Sequence, residues 1–253
     1  MVKRILSIVL WAATGAALVA LFIAAREHYL TSPVRAIILQ PQNRSGFVVT
    51  RQLHDTIAQI CRRRNIGTLD MIAIQEVLDA NPWIENNASK VDLDGTLQVN
   101  YKEYEPRFRV FGKDGHSAYV TEDGDVVPSS RVFTPYVLIA SGNFDLRSKA
   151  TTYHLDTIAE DANLISALHW YKAIHDNAFI ANCVGQLYCN GQNQFELTAK
   201  GVGARIIVGD TCDASDKLRR LEAFIKQRNG HPETCTFTSI NLNYKNQIVC
   251  TKR

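Results

Sequence analysis

From Ile5 to Ala25 the chain carries no charge over 21 residues, with Lys3-Arg4 before the run and Arg26-Glu27 after it. As a helix this run is about 32 Å long, enough to cross the roughly 30 Å hydrocarbon core of a bilayer. A cleaved signal peptide also begins with a short basic segment. Its apolar region is shorter, about 7–15 residues, and ends in a small-x-small cleavage site. Here Phe22-Ile23 stands where small residues are required, so the run reads as an uncleaved anchor over residues 5–25. Basic residues stay on the cytoplasmic side, which leaves residues 1–4 as a cytoplasmic tail and the remaining 228 residues outside. Ala12, Ala16, Ala20 and Ala24 form an i, i+4 stripe that admits close approach of another helix, and also fits plain apolar filler.

The anchor sets the terms for charge and cysteine. The formal net charge is +3, from 28 basic and 25 acidic residues, and three of the basic ones precede Glu27. The rest of the chain is neutral, which excludes a nucleic-acid binder. With 46% hydrophobic and 21% charged residues, the external part is an ordinary globular chain. Its cysteines, Cys61, Cys183, Cys189, Cys212, Cys235 and Cys250, face a disulfide-permissive space, and sequence leaves their pairing open. Cys183 and Cys189 are close along the chain, Cys212 and Cys235 bracket a predicted helix, and Cys250 equally fits a buried thiol. No C-x-x-C occurs, which argues against a thioredoxin-type motif or a zinc knuckle.

The external chain divides into two blocks, 31–106 and 107–253. In the first, Thr31-Ser32-Pro33 ends the anchor helix and Val34 to Leu39 reads as a strand. Thr50 is placed to cap a helix with Leu53, Ile57 and Ile60 inward, running into Arg62-Arg63-Arg64. That basic triplet complements a helix C-terminus better than it makes a binding patch. Thr68 is placed to cap a second helix with Met71, Ile74, Val77 and Leu78 inward, stopped by Asn81-Pro82. Trp83 to Val91 and Thr96 to Tyr104 read as a hairpin through Asp92-Leu93-Asp94-Gly95, and Gln40 to Phe47 as a loop. The order β-α-α-β-β predicts a small three-stranded sheet under two helices.

After Glu105-Pro106 the chain is richer in strands: Arg107 to Phe111, Ser117 to Thr121, Val126-Val127 and Val137 to Ala140. Leu155 to Asp176 is the longest predicted helix, with Ile158, Ala162, Ile165 and Leu168 on one face. Strands follow at Phe179 to Tyr188, Phe195 to Ala199 and Ala204 to Val208, then a helix from Asp216 to Arg228. Thr236 to Tyr244 and Gln247 to Thr251, with a turn at Lys245-Asn246, close the chain. The fold class is α+β: one transmembrane helix, a β-α-α-β-β module, and a strand-rich domain with two helices.

A search for chemistry returns little. His169 and His175 point to different faces of their helix and cannot act as the i, i+4 zinc pair of H-E-x-x-H. There is no G-x-S-x-G elbow or phosphate loop, and Gly201-Val202-Gly203 is better explained as a turn. Asp92-Leu93-Asp94-Gly95 and Asp123-Gly124-Asp125 start like calcium loops but lack the remaining oxygen ligands. No catalytic residue, metal ligand or cofactor is expected.

In order and spacing the elements resemble the FtsQ/DivIB family of bacterial cell-division proteins, in detail its Bacteroidota branch. Asn81-Pro82-Trp83-Ile84 is similar to the family's lead into the second strand of its POTRA domain, and Gly95-Thr96-Leu97-Gln98-Val99 to the third strand. Tyr119 to Gly124, followed by Val127-Pro128-Ser129, resembles "Y-i-D-x-x-G-x-x-m-P-l-S", with Thr121 and Glu122 departing from it. Ile207-Val208-Gly209-Asp210 with Lys217-Leu218 and Leu221 resembles "I-x-l-G-d … K-L-x-x-L". The ending Ile240 to Lys252 resembles nearly the whole "InLkYknQvVctK" of the branch, whereas Ser141 to Thr198 matches only in layout.

The resemblance implies a non-enzymatic scaffold. Its POTRA domain would be the first block, and its strand-rich C-terminal domain would bind FtsB- or DivIC-like and FtsL-like proteins. Through them it would help recruit and regulate septal peptidoglycan synthesis. It would sit in the inner membrane at the division septum, with most of the chain periplasmic. In the family FtsB adds a strand to the edge formed by the last strand, and a terminal strand with unpaired backbone groups suits that mode. Carried onto this sequence, the partner-binding residues would be Gln247, Val249 and Thr251, with Leu242 and Tyr244 on the strand before. Alternation requires some of the five to be core. Two other classes compare poorly. A periplasmic wall enzyme would need a convergent acid/base or metal cluster. A POTRA-bearing assembly or secretion factor would usually carry several POTRA repeats and a barrel.

Overall fold

The apolar N-terminal run forms a single helix, α1 (Val2–Thr31), in the computed structural model of this chain, which describes residues 2–147, 150–156, 159–228 and 237–252. Over Val9–Thr31 it is long and apolar enough to cross a membrane, and no residue of its most apolar window is buried against protein. Val9, Leu10, Trp11, Val19 and Ile23 expose apolar surface all round it, a pattern compatible with a membrane-spanning helix. Of the residues singled out from the sequence, Ile158, Cys235 and Thr236 lie outside those described.

The chain separates into two compact units, Met1–Glu103 and Tyr104–Arg253. In the first, α1 leads into β1 (Ala36–Pro41), α2 (Thr50–Cys61), a 3-10 turn (Ile66–Thr68), α3 (Met71–Asp79), β2 (Ile84–Val91) and β3 (Thr96–Glu103). The sheet order is β1-β3-β2, with β1 parallel and β2 antiparallel to the central β3. The hairpin turn closes through Gly95 N donating to Asp92 O at 3.0 Å, and Gly95 takes a left-handed φ of 87° that favours glycine. Leu53 and Ile57 of α2 and Ile74 and Leu78 of α3 pack on Leu97, Val99 and Tyr101 of β3. Each such side chain, fully buried, contributes about 1.5–3 kcal/mol. The segment read as a loop is pinned at its end. The buried Glu103 carboxylate accepts from Phe47 N at 3.1 Å and Val48 N at 3.4 Å, and Asn43 pairs with the Glu103 backbone.

Two expected caps are corrected. Thr50 lies inside α2, whose N-cap is Val49 without a side-chain bond, and its hydroxyl meets Tyr101 Oη at 3.3 Å. Asp70, not Thr68, caps α3 by accepting from Ala73 N at 3.0 Å. Asp is the stronger acceptor there, and Thr68 instead bonds Asn65 across the 3-10 turn.

The second unit comprises β4 (Pro106–Phe111), β5 (Ser117–Thr121), β6 (Asp125–Pro128), β7 (Leu138–Gly142), β8 (Tyr153–His154), α4 (Ala162–Asp176), α5 (Ala178–Cys183), β9 (Val184–Cys189), β10 (Phe195–Ala199), β11 (Arg205–Gly209), α6 (Ala214–Arg228), β12 (Phe237–Asn241) and β13 (Val249–Lys252). Its strands form one sheet, β13-β12-β11-β10-β9-β7-β4-β5-β6-β8. Three neighbour pairs are parallel: β4/β7, β7/β9 and β11/β12. Parallel neighbours need long crossovers, and the helices supply two of them, α4-α5 between β7 and β9 and α6 between β11 and β12. Alternate strand residues such as Val110, Val120, Ala140, Leu187, Leu197, Ile206 and Ile240 therefore meet Leu164, Trp170, Leu218 and Leu221 in one core.

The structure departs from the sequence reading at two places here. The predicted helix from Leu155 begins at Ala162, after a 3-10 turn at Ala159–Asp161. Before it, the buried Asp161 carboxylate takes Arg147 Nη2 and Asp156 N, which holds the chain in a turn. The predicted strand from Phe179 starts instead with α5, because Asn177 caps that helix through Ile180 N at 3.0 Å. The apolar run Phe179-Ile180-Ala181 satisfies either period over so short a span.

Candidate functional site

The strand β13 ends the larger sheet, and among the described residues it has a neighbour on one side only, β12. The pairing fixes which backbone groups it leaves outward. Leu242 N donates to Ile207 O at 2.9 Å, so Ile240 and Leu242 turn their amides toward β11 and Asn241 turns toward β13. Asn241 faces Val249, and Val249 and Thr251 therefore point their N–H and C=O inward to β12. By the same alternation Ile248, Cys250 and Lys252 direct theirs outward. The opposite end of the sheet, β8, offers only two residues.

Side chains on this edge divide by face. Ile248 and Cys250 pack against the core, while Val249 (40% exposed) and Thr251 lie on the face of the sheet away from the helices. A straight row runs across that face, from Tyr188 through Glu196, Ile207 and Asn241 to Val249. Thr251 is tied sideways: Ser239 Oγ meets its Oγ1 at 3.1 Å, and Thr238 Oγ1 donates to its carbonyl at 3.2 Å.

Of the five residues picked out from the sequence, the structure brings Val249 and Thr251 together on one face. Leu242 is fully buried in the core, with no surface to offer a partner, so a contact role for its side chain is corrected to packing. Gln247 does not lie on the last strand as expected but in the turn before it, where its N–H reaches Tyr244 O at 3.3 Å. Asn246 there adopts a φ of 57°, which the turn demands and asparagine tolerates. Tyr244, expected on the preceding strand, is also in this turn, 52% exposed.

Behind the edge stands a corner built on α6. Lys217, nearly buried, donates from Nζ to Val208 O and Asp210 O, each at 2.9 Å, and to Asp210 Oδ1 at 3.0 Å. Its hydrogen bond holds the Asp210 carboxyl below the usual carboxylate range. Gly209 at φ 70° lets the chain turn there, and a Cβ on it would overlap the Asn243 side chain. One turn along the helix, Arg220 reaches the β12–β13 connection. Sequence reasoning picked out Lys217 by its motif but missed Arg220, Ile248 and Lys252. Alternation along β13 carried a signal for the last two, whereas Arg220 reads as an ordinary surface cation of a helix.

The remaining motifs are structural. Asp92 to Gly95 and Asp123-Gly124 form turns between strands, as does Gly201 between β10 and β11. Among the described residues no three His, Cys, Asp or Glu side chains gather as metal ligands. Cys61, Cys183, Cys189 and Cys212 are free thiols, and burial raises the thiol pKa of Cys61 and Cys189.

A family model described as "FtsQ/DivIB, C-terminal related" matches residues 105–251, which takes in β4 through β12 and all of β13 except Lys252. No curated protein matches the chain.

Proposed function

This chain belongs to the FtsQ/DivIB C-terminal-related family of cell-division proteins, and from that premise we propose that it is a membrane-anchored scaffold of the division machinery. It binds FtsB- or DivIC-like and FtsL-like partners and through them helps recruit and regulate septal peptidoglycan synthesis. It performs no catalysis of its own. The β-α-α-β-β order of the first unit supports a POTRA reading for residues 31–106. Helix α1, with Lys3-Arg4 ahead of it, supports a single span of the inner membrane, N-terminus inside and both units periplasmic at the septum.

The observation that carries the reading is the one-sided pairing of β13 within the family-matched domain. An extended partner segment adds there as the next strand, on the outward backbone groups of Ile248 and Lys252, and Val249 and Thr251 contact its alternate side chains. The test is co-purification of the full chain from membranes with its coiled-coil partners, comparing wild type with Lys252→Pro. Proline removes an outward donor and leaves the inward ladder to β12 intact. Capture by wild type and loss in a folded Lys252→Pro chain supports the edge. Equal capture by both moves the site elsewhere, and no division partner for wild type refutes the scaffold reading.

A further inference from the structure

We infer that Arg220 is a positioning residue for the β13 edge: its guanidinium clamps the β12–β13 connection and so sets the strand that a partner would extend. The inference rests on the proposed use of that edge. Nη1 of Arg220 donates to Tyr244 O and to Gln247 O, both at 2.8 Å, and Nη2 donates to Leu242 O at 3.1 Å. Nε is held by Asp216 Oδ2 at 3.0 Å, one helical turn back. The side chain is only 17% exposed.

These acceptors are not scattered. Leu242, Tyr244 and Gln247 span the whole connection, from the end of β12 to the residue two before β13. Three carbonyls from a seven-residue connection therefore converge on one planar cation. Only arginine presents donors in such a fork, whereas the lysine ammonium is a point charge that cannot span them. The clamp also braces an exposed turn that carries a left-handed Asn246. Among the described residues the other backbone bonds of the connection are Leu242 N to Ile207 O at 2.9 Å, Gln247 N to Tyr244 O at 3.3 Å and Asn243 N to Asn241 Oδ1 at 3.0 Å.

A residue that merely supported the fold would weaken the whole unit when removed. A positioning residue loosens residues 242–252 and leaves the sheet interior alone. The experiment is hydrogen exchange read by mass spectrometry on the full chain in detergent micelles, comparing wild type, Arg220→Met and Arg220→Lys. Peptides from β10 (Phe195–Ala199) serve as the internal reference. Arg220→Met should exchange at least about tenfold faster over 242–252, with β10 unchanged and partner capture weakened by a similar factor. Arg220→Lys, which keeps the charge and loses the fork, should fall between the two. If Arg220→Met also loosens β10, Arg220→Lys alone decides by whether its change is confined to 242–252.

Unchanged exchange over 242–252 overturns the clamp. Fast exchange there with wild-type partner capture overturns its service to binding. A wild-type chain that captures no coiled-coil partner refutes the proposed function instead, and the exchange result still decides whether Arg220 holds the edge.

Discussion

Replacing Lys217 by methionine tests how much the corner behind β13 contributes to the second unit. Methionine keeps the unbranched stem and removes the three donated bonds, to Val208 O, Asp210 O and Asp210 Oδ1. Bonds from a charged donor contribute about 1.5–3 kcal/mol each when considered singly. The Asp210 carboxylate is 64% exposed, so its share is small. The two carbonyl bonds dominate, and against them stands the cost of holding an ammonium out of water, which methionine avoids. The balance is a destabilisation of about 2–4 kcal/mol. For a chain of this size that lowers the unfolding midpoint by about 5–15 °C. Thermal unfolding of the full chain in detergent, followed by tryptophan fluorescence, reads it directly, because Trp170 lies 5.9 Å from Lys217 Nζ. Asp210→Asn is the control and should cost less than about 1 kcal/mol. A Lys217→Met midpoint within about 2 °C of wild type, or above it, would refute the reasoning.

Gly209→Ala should destabilise by about 2 kcal/mol or more, from the left-handed φ of 70° and the overlap with Asn243, and adding Asn243→Ala should recover part of the loss in the same melt. Glu103→Ala strips the acceptor from Phe47 N and Val48 N, costs about 1–3 kcal/mol, and should open 43–48 to limited proteolysis. On acidification, the carboxyls of Asp210, Asp216 and Glu222 are held below their ordinary range, chiefly by hydrogen bonds from Lys217, Arg219 and Lys226. A lowered folded pKa contributes stability above the unfolded value of about 4 that is lost as pH falls through the folded one. The thermal midpoint should therefore show no carboxylate dependence from pH 7 to about 5 and decline below about 4.

What could be read from the sequence follows the physics of each signal. Ser117–Thr121 and Phe195–Ala199 emerged with the expected bounds, since each short apolar or alternating stretch is bounded by turn residues on both sides. The long N-terminal helix was legible because 21 uncharged, mostly apolar residues run without a breaker between charged flanks. Caps were less so: Thr50 and Thr68 have the right chemistry, but which hydroxyl or carboxylate takes the amide depends on where the chain turns. Phe179 to Cys183 failed for a different reason. The three-residue apolar run Phe179-Ile180-Ala181 fits both periods, and the deciding cap, Asn177, stands outside the pattern. At the site, alternation required some of the five residues to be core without saying which, and the tertiary bonds of Arg220 leave no trace in spacing.

The edge and its bracing belong to one physical problem. A four-residue strand at the end of a sheet holds few bonds, and fixing each residue costs about 1–2 kcal/mol of backbone entropy. If β13 frayed in the isolated protein, a partner adding to it would bear that cost at binding and lose affinity accordingly. The corner removes the cost beforehand. Lys217 fixes the end of β11, Arg220 fixes the connection, and Thr238 and Ser239 fix Thr251, while Ile248 and Cys250 anchor the inner face. None of these side chains needs to touch a partner. The bracing therefore keeps the outer edge of β13 ordered, which is the state that strand addition would require and that an unsupported terminal strand would not hold.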